Sequence, residues 1–180
     1  MNRILAGILL CGAVLAVPAY ATLSVGTAAP DFTAQASLGG KEFTFSLADA
    51  LKKGPVVLYF YPAAFTTGCT IEAHEFAEAT DQFAAMGATV IGISHDAIDK
   101  LDKFSVSECR SKFAVAADPD GTVIKSYDAV LPSHPEYSNR TSYVIAPDGK
   151  ILVEYTDLNP DMHVQIALAA VKKWREKHPL

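Results

Sequence analysis

The chain has 180 residues, 50% of them hydrophobic, and its 15 Lys and Arg against 20 Asp and Glu leave a formal net charge of −5. An acidic chain without a basic patch does not suit a phosphate backbone, so the composition argues against a nucleic-acid partner. The length fits one domain that buries a core of its own.

The N-terminal segment predicts export. Arg3 is followed by an apolar run over residues 4–17 and then by the small-residue pattern Ala19-Tyr20-Ala21, which together are typical of a secretory signal peptide. The run is shorter than the roughly 20 apolar residues that a membrane-spanning helix needs. We therefore expect residues 1–21 to be a signal peptide and residues 22–180 to be one domain outside the membrane, exported to the periplasm if the source is a bacterium.

Hydrophobic periodicity then predicts the elements in chain order. The predicted elements are strands at 41–45 and 56–60, a helix at 67–86, a strand at 89–93, a helix at 97–108, a strand at 113–117, a short helix at 123–127, strands at 142–145 and 151–155, and a helix at 160–177. Apolar residues at helical spacing, among them Ile71, Phe76 and Phe83, are expected to face the core. Strands that alternate with helices and then end in a hairpin and a helix predict an α/β fold, with a mixed central sheet flanked by helices.

The cysteines point to redox chemistry. Cys11 lies in the predicted signal peptide, so Cys69 and Cys109 remain after cleavage, in an oxidising compartment if the protein is exported. Two thiols in such a place either pair as a structural disulfide or react, and both possibilities stay open at this point.

Cys69 stands out by its position in the first turn of the predicted helix, directly after a buried strand. Free N–H groups and the positive end of the helix dipole favour a thiolate at such a position, and the thiolate is the nucleophilic form. Thr66 or Thr67 is suited to cap this helix.

The segment around Cys69 also resembles a known family. Pro62, Thr66 and Cys69 match the pattern P-x-x-x-T-x-x-C of peroxiredoxins, and the neighbouring residues 59–62 and 68–73 resemble the Q-type branch, also called bacterioferritin comigratory proteins. The similarity runs through nearly all of residues 22–180. It implies a thioredoxin-like fold and an antioxidant thiol peroxidase that reduces hydrogen peroxide and organic hydroperoxides to water and alcohols.

The resemblance also implies roles for single residues. Cys69 corresponds to the peroxidatic cysteine, which is oxidised to a sulfenic acid. Thr66 is expected to hydrogen-bond the peroxide, Pro62 to shield the thiolate, and Arg140 to stabilise the thiolate and hold the peroxide oxygens. Glu72 is expected either to orient Arg140 or to serve only as an acidic residue near a helix N-terminus.

The step that follows sulfenic acid formation has two possible routes. Many Q-type proteins carry a second cysteine five residues after the first, where this chain has His74. The resemblance leaves Cys109, one turn after Ser105 near the end of the predicted helix 97–108, as a possible resolving residue, which would form a disulfide with Cys69 after local unwinding. Otherwise the protein is a one-cysteine enzyme. In either case a thioredoxin-like protein or a small thiol is the expected reductant.

Two other functions remain as alternatives: a thioredoxin-like thiol-disulfide oxidoreductase and a silent binding module on the same fold. The first normally uses C-x-x-C, whereas Thr66 occupies the first cysteine position here. No metal or organic cofactor is expected. The scattered histidines, His163 among them, form no zinc pattern and are predicted to be ordinary polar residues. The expected assembly is a monomer or a homodimer.

Overall fold

The computed structural model describes residues 22–179, so the predicted signal peptide lies outside the described residues. The strands of this part are β1 Thr33–Leu38, β2 Lys41–Ser46, β3 Val56–Phe60, β4 Thr89–Ser94, β5 Ala114–Ala117, β6 Thr141–Ile145 and β7 Ile151–Thr156. The helices are α1 Leu47–Leu51, α2 Thr67–Ala85, α3 Ile98–Ser107, α4 Thr122–Ser126 and α5 His163–Lys177, and a 3-10 turn at Pro160–Met162 precedes α5.

All the strands join one sheet in the order β2-β1-β5-β4-β3-β6-β7. The three central strands β3, β4 and β5 run parallel and are linked by α2 and α3, while β6 pairs antiparallel with β3. β3 is buried along its whole length because helices and loops cover both faces of the sheet, as its unbroken apolar run predicted. The prediction of an α/β fold with a mixed sheet is confirmed.

Helix α2 shows how local sequence sets an element's end. It closes at Ala85, and Gly87 follows with φ +70°, a left-handed conformation that favours glycine. The amide of Ala88 donates to the carbonyl of Phe83 at 2.9 Å and so satisfies one of the helix's last acceptors.

Two elements have no predicted counterpart. β1 has the sequence TAQASL, which lacks a clear alternation of large apolar residues, and α1 is a single turn. Both are held by context: β1 pairs with β2 and β5, and Ser46 caps α1 by accepting from the amide of Asp49 at 3.2 Å.

The predicted inner face of α2 is wrong in its first two turns. Phe76 and Phe83 are fully buried, but Ile71 is 43% exposed. Cys69, Glu72 and Ala73 occupy the buried face there instead. The helix therefore turns a thiol and a carboxyl toward the sheet where a purely structural helix would place apolar side chains.

None of the helices in residues 22–179 combines the length and the apolar character needed to cross a bilayer.

Candidate active site

The loop between β3 and α2 positions Cys69. Ser138 Oγ donates to the carbonyl of Tyr61 at 2.5 Å, and the amide of Ala64 donates to the carboxylate of Asp96 at 2.7 Å, so the loop is tied down at two points. α2 then begins at Thr67, and its first turn carries Cys69, which is only 1% exposed. The sulfur thus lies at the helix N-terminus, close to the carboxyl ends of the parallel strands.

Arg140 reaches the same place through strand pairing. In the antiparallel ladder of β3 and β6, Phe60 lies opposite Thr141, so Arg140 immediately precedes the strand end that adjoins the loop before α2. Arg140 Nη2 donates to Cys69 Sγ at 3.6 Å, a hydrogen bond between residues 71 positions apart in the chain. The sheet register therefore joins the thiol and the guanidinium predicted from sequence.

Two further hydrogen bonds hold the guanidinium, and the small size of Gly68 leaves space for it. Nη1 donates to Glu72 Oε2, and Nε donates to the carbonyl of Leu158 at 2.9 Å. The first of these places Arg140 between the carboxyl of Glu72 and the sulfur of Cys69. A Cβ added to Gly68 would lie 3.0 Å from Nη2, so glycine at this position leaves room for the guanidinium.

Burial and the charges of neighbouring groups oppose each other in this cluster. Burial raises the pKa of Glu72 from its ordinary value of 4.5 to about 8, although the charge of Arg140 and its hydrogen bond pull the other way. Burial by itself would lower the pKa of Arg140, but the negative charges of Glu72 and Cys69 outweigh it, and the pKa of Arg140 is raised. Removal from water makes each charge in the cluster depend on its neighbours.

Thr66 and Pro62 lie on the solvent side of the loop. Thr66 occupies the N-cap position of α2, but its hydroxyl donates back to the carbonyl of Ala63 at 2.9 Å and makes no cap hydrogen bond to the helix. Pro62 is half-buried. Between them, Phe65 has φ +68°, a left-handed conformation that is uncommon for a residue with a side chain.

Cys109 is a free, fully buried thiol, as Cys69 is free and buried. The predicted helix 97–108 placed Cys109 at a helix end, and the structure has it in the turn after α3, which ends at Ser107. The amide of Cys109 donates to the carbonyl of Phe104 at 3.1 Å. Burial and then the charge of Glu108 raise the pKa of Cys109. The two thiols are unpaired in this conformation.

A sequence model of the AhpC/TSA family matches residues 25–153, which is most of the chain. The chain belongs to the AhpC/TSA family. It is 31% identical over 161 residues to the peroxiredoxin Bcp of Bacillus subtilis, an alignment that covers 87% of this chain and 99% of that protein. A Mycobacterium tuberculosis protein named as a peroxiredoxin is 37% identical over 133 residues, 69% of this chain and 82% of its own.

Solved structures agree. Peroxidoxin BcpB of Mycobacterium tuberculosis superposes with a TM-score of 0.75 at 33% identity, covering 83% of this chain and 96% of that one. The PrxQ of Xylella fastidiosa shares the fold with a TM-score of 0.76. The prediction of a thioredoxin-like peroxiredoxin fold is confirmed, and the protein is a thiol-dependent peroxidase with an antioxidant function. Its substrate is a peroxide and its reductant a thiol.

Sequence reasoning missed other residues at this site. Gly68 left no signal beyond its place next to Cys69. His163 was predicted to be an ordinary polar residue, and that is wrong: it is fully buried, and its Nδ1 lies 3.7 Å from Glu72 Oε1. Ser142, on β6, is hydrogen-bonded to the same ring nitrogen at 2.8 Å. Nothing in a single sequence connects position 163 with position 72, since only the packing of α5 against α2 and β6 brings them together.

Proposed function

We propose that this peroxidase is of the Q-type branch and uses Cys69 as its peroxidatic residue. The contact between Arg140 Nη2 and Cys69 Sγ at 3.6 Å carries this proposal, because a guanidinium aimed at a sulfur in the first turn of a helix stabilises negative charge there. The sulfur attacks one peroxide oxygen and the O–O bond breaks. The other oxygen leaves with the bonding pair and takes up a proton to give water or an alcohol, while Cys69 becomes a sulfenic acid.

Arg140 can interact with both the attacking sulfur and the leaving oxygen in this step. Its fork of N–H donors stabilises the attacking sulfur and the departing oxygen, on which negative charge develops. Since Glu72 and Leu158 fix the guanidinium from behind, little reorganisation is needed when the charge moves. Glu72 acts through Arg140 and not on the peroxide.

Thr66 and Pro62 shape the approach to the sulfur. Because the hydroxyl hydrogen of Thr66 is directed to the carbonyl of Ala63, the oxygen is free to accept a hydrogen bond from the peroxide. Pro62 has no backbone N–H donor, and its ring fixes φ. It therefore limits water around the thiolate and keeps the loop rigid.

Resolution by Cys109 is the second part of the proposal. The thiol of Cys109 would attack the sulfur of the Cys69 sulfenic acid and release water, leaving a disulfide. The turn that holds Cys109 continues through Arg110 and Ser111, with φ of +50° and +54°, and such left-handed residues cost on the order of 1 kcal/mol or more each. This strain favours local opening of the turn, which a buried thiol needs before it can react.

Contacts between the two regions support the coupling of that opening to the active site. The ring of Phe65, in the loop before α2, meets the ring of Phe104 on α3 edge to face with centroids 5.2 Å apart, and Tyr61 stacks on Phe104 at 5.6 Å. A rearrangement of the loop at Cys69 therefore loosens the packing of α3 just before Cys109. Without such opening the protein would work as a one-cysteine enzyme, reduced directly by a thioredoxin-like protein or a small thiol.

Export belongs to the proposal as well. The sequence of residues 1–21 supports cleavage after Ala21 and action in the periplasm. N-terminal sequencing of the protein recovered from the periplasmic fraction checks this point: Thr22 is the expected first residue, and recovery in the cytosol with residues 1–21 attached would contradict it. The proposed assembly is a monomer or a homodimer.

The decisive experiment is mass spectrometry after one equivalent of hydrogen peroxide, on wild type, Cys69→Ser and Cys109→Ser. We expect a disulfide between Cys69 and Cys109 in wild type, trapped sulfenic acid on Cys69 in Cys109→Ser, and no rapid oxidation in Cys69→Ser. Sulfenic acid on Cys69 in wild type and Cys109→Ser alike would establish the one-cysteine route.

Wild type that shows no rapid oxidation at Cys69 would contradict the assignment of Cys69. Rapid exchange with protein disulfides in place of peroxide reduction would instead favour the oxidoreductase alternative.

A further inference from the structure

His163 lies directly behind Glu72, outside residues 25–153 that match the family model. It is the first residue of α5 and is fully buried. Its Nε2 lies 2.8 Å from the carbonyl oxygen of Asp157. A carbonyl can only accept a hydrogen bond, so Nε2 carries the hydrogen, and in the neutral ring Nδ1 keeps a lone pair.

The other ring nitrogen faces two groups. Nδ1 lies 2.8 Å from Ser142 Oγ, whose hydroxyl can donate to the lone pair, and 3.7 Å from Glu72 Oε1. Glu72 Oε1 is buried and makes no hydrogen bond within residues 22–179, although Oε2 accepts from Arg140. A buried, ionised carboxyl that faces a lone pair is repelled by it, and the repulsion disappears when one of the two groups is protonated.

We propose that Glu72 and His163 together hold one proton behind Arg140, and that His163 is a positioning residue that sets the charge of Glu72 and, through it, the hold of Arg140 on Cys69. The inference rests on the peroxidase function and concerns the residues that support its arginine. With the proton on Glu72, Arg140 is left with Cys69 as its negatively charged neighbour. Without the proton, Glu72 competes with Cys69 for the guanidinium.

The backbone after β7 links the two side chains a second time. Arg140 Nε donates to the carbonyl of Leu158 at 2.9 Å, and His163 Nε2 donates to the preceding carbonyl, that of Asp157. The amide of Asp157 in turn donates to the carbonyl of Arg140 at 3.2 Å. Two consecutive peptide groups thus anchor both the imidazole and the guanidinium, so a displaced His163 displaces Arg140.

The electrostatics agree with this placement of the proton. Burial lowers the pKa of His163 from 6.5 to about 4, and burial raises the pKa of Glu72 to about 8. Between those values the ring is neutral and the carboxyl protonated. The titratable and charged groups that face the pair from the surrounding elements are Cys69 and Glu75 on α2, Tyr59 on β3, Arg140 before β6, Tyr155 on β7, and Asp157 and Asp161 before α5.

The test compares the pH dependence of Cys69 oxidation by hydrogen peroxide in the full-length mature protein. His163→Gln keeps an N–H donor for the carbonyl of Asp157 but cannot titrate. We expect wild type to show an inflection near pH 8 that is absent in Glu72→Gln, and we expect this inflection to move by roughly one pH unit or more in His163→Gln. His134→Gln is the matched control, because His134 is exposed and pairs with Glu136, away from Glu72. Its profile should superimpose on that of wild type.

A purely structural role would lower the thermal stability of His163→Gln and leave the pH profile where it is in wild type. That result, from a wild type that does form sulfenic acid on Cys69, would overturn the inference and leave the peroxidase assignment intact. Wild type that forms no sulfenic acid would overturn the assignment of Cys69 itself.

Two spectroscopic measurements keep the inference testable if His163→Gln does not fold. Nitrogen NMR of wild type should show the His163 ring protonated on Nε2 alone at pH 6. Infrared spectra at pH 6.5 should show the carbonyl band of one protonated carboxylic acid that Glu72→Gln lacks. A doubly protonated His163 ring, or spectra of wild type and Glu72→Gln without this difference, would contradict the shared proton.

Discussion

The two thiols of the domain are equally hidden from water but sit in opposite electrostatic surroundings. Cys69 lies in the first turn of α2 with Arg140 Nη2 3.6 Å from its sulfur. Cys109 lies just beyond the last turn of α3, where the helix dipole is negative, next to Glu108. One thiol faces a cation and a positive helix end, and the other faces an anion and a negative helix end.

This difference separates reactivity from exposure. A buried thiol is expected to be inert, and burial does raise the pKa of Cys109. At Cys69 the same burial instead strengthens the guanidinium contact, since a charge pair in a medium of low polarity is screened less than one in water. In the proposed mechanism, the surroundings of a thiol, and not its accessible area, separate the attacking Cys69 from Cys109, which reacts only after local opening.

The largest effect on this contrast should come from Arg140. Replacement in Arg140→Met removes the donor to the sulfur, and we expect the rate constant of Cys69 oxidation to fall about 10²–10³-fold, the usual cost of losing a preorganised donor to a developing charge. Arg140→Lys keeps the positive charge but not the fork of N–H donors, so its rate constant should lie between those of wild type and Arg140→Met. Stopped-flow mixing with hydrogen peroxide measures the rate constants of all three proteins.

Arg110→Met is the matched control, because Arg110 adjoins Cys109 and pairs with exposed Glu78 at 3.2 Å. It should react with peroxide like wild type. An equal loss in Arg110→Met and Arg140→Met would show that general charge, and not the placement of one guanidinium, governs Cys69.

A second effect is the dependence of stability on pH. Because the folded pKa of Glu72, about 8, lies above its ordinary value of 4.5, Glu72 stabilises the fold fully below pH 4.5, and this contribution is lost as the pH rises through 8. The free energy of unfolding of wild type, relative to Glu72→Gln, should therefore fall over this window by up to about 5 kcal/mol, since a shift of one pKa unit is worth about 1.4 kcal/mol. Urea titrations between pH 4 and 9 give the difference.

Cys109 should show a different pH dependence of stability from Glu72 in the same urea titrations. Its thiol also has a raised pKa, but from an ordinary value of 9.0, so wild type and Cys109→Ser should diverge in their pH dependence only above about pH 9. A difference between wild type and Glu72→Gln that stays constant from pH 4 to 9 would show that folding does not change the pKa of Glu72.

The smallest effect should follow from crowding Arg140. In Gly68→Ala the new Cβ would lie 3.0 Å from Nη2, so the guanidinium must move by a few tenths of an ångström. We expect oxidation of Cys69 to slow by roughly fivefold with no loss of melting temperature, because alanine favours the helix more than glycine does. Ser107→Ala, an equally small change on the exposed end of α3, is the control and should not change the rate of Cys69 oxidation. A Gly68→Ala protein that is oxidised as fast as wild type would mean that Arg140 tolerates the shift.

The fold followed from the sequence wherever an element carries its own pattern. β3 is an unbroken apolar run, and Gly87 marks the end of α2, so both were predicted within a residue or two. β1 and α1 were not predicted, since β1 depends on its partners β2 and β5 for its hydrogen bonds and α1 is too short to show a period. At Ile71 and Glu72 the periodicity misled, because the helix there buries the carboxyl that is hydrogen-bonded to Arg140.

By itself, the sequence determined what depends on neighbours along the chain: the alternating α/β order, a cysteine at a helix start, and the local pattern of Pro62, Thr66 and Cys69. Only the tertiary structure decided what depends on distant partners. The pairing of β3 with β6 brings Arg140 to Cys69, and the packing of α5 brings His163 to Glu72. Helix starts and strand patterns are local in sequence, whereas the charge of a buried group is set by atoms that reach it through the fold.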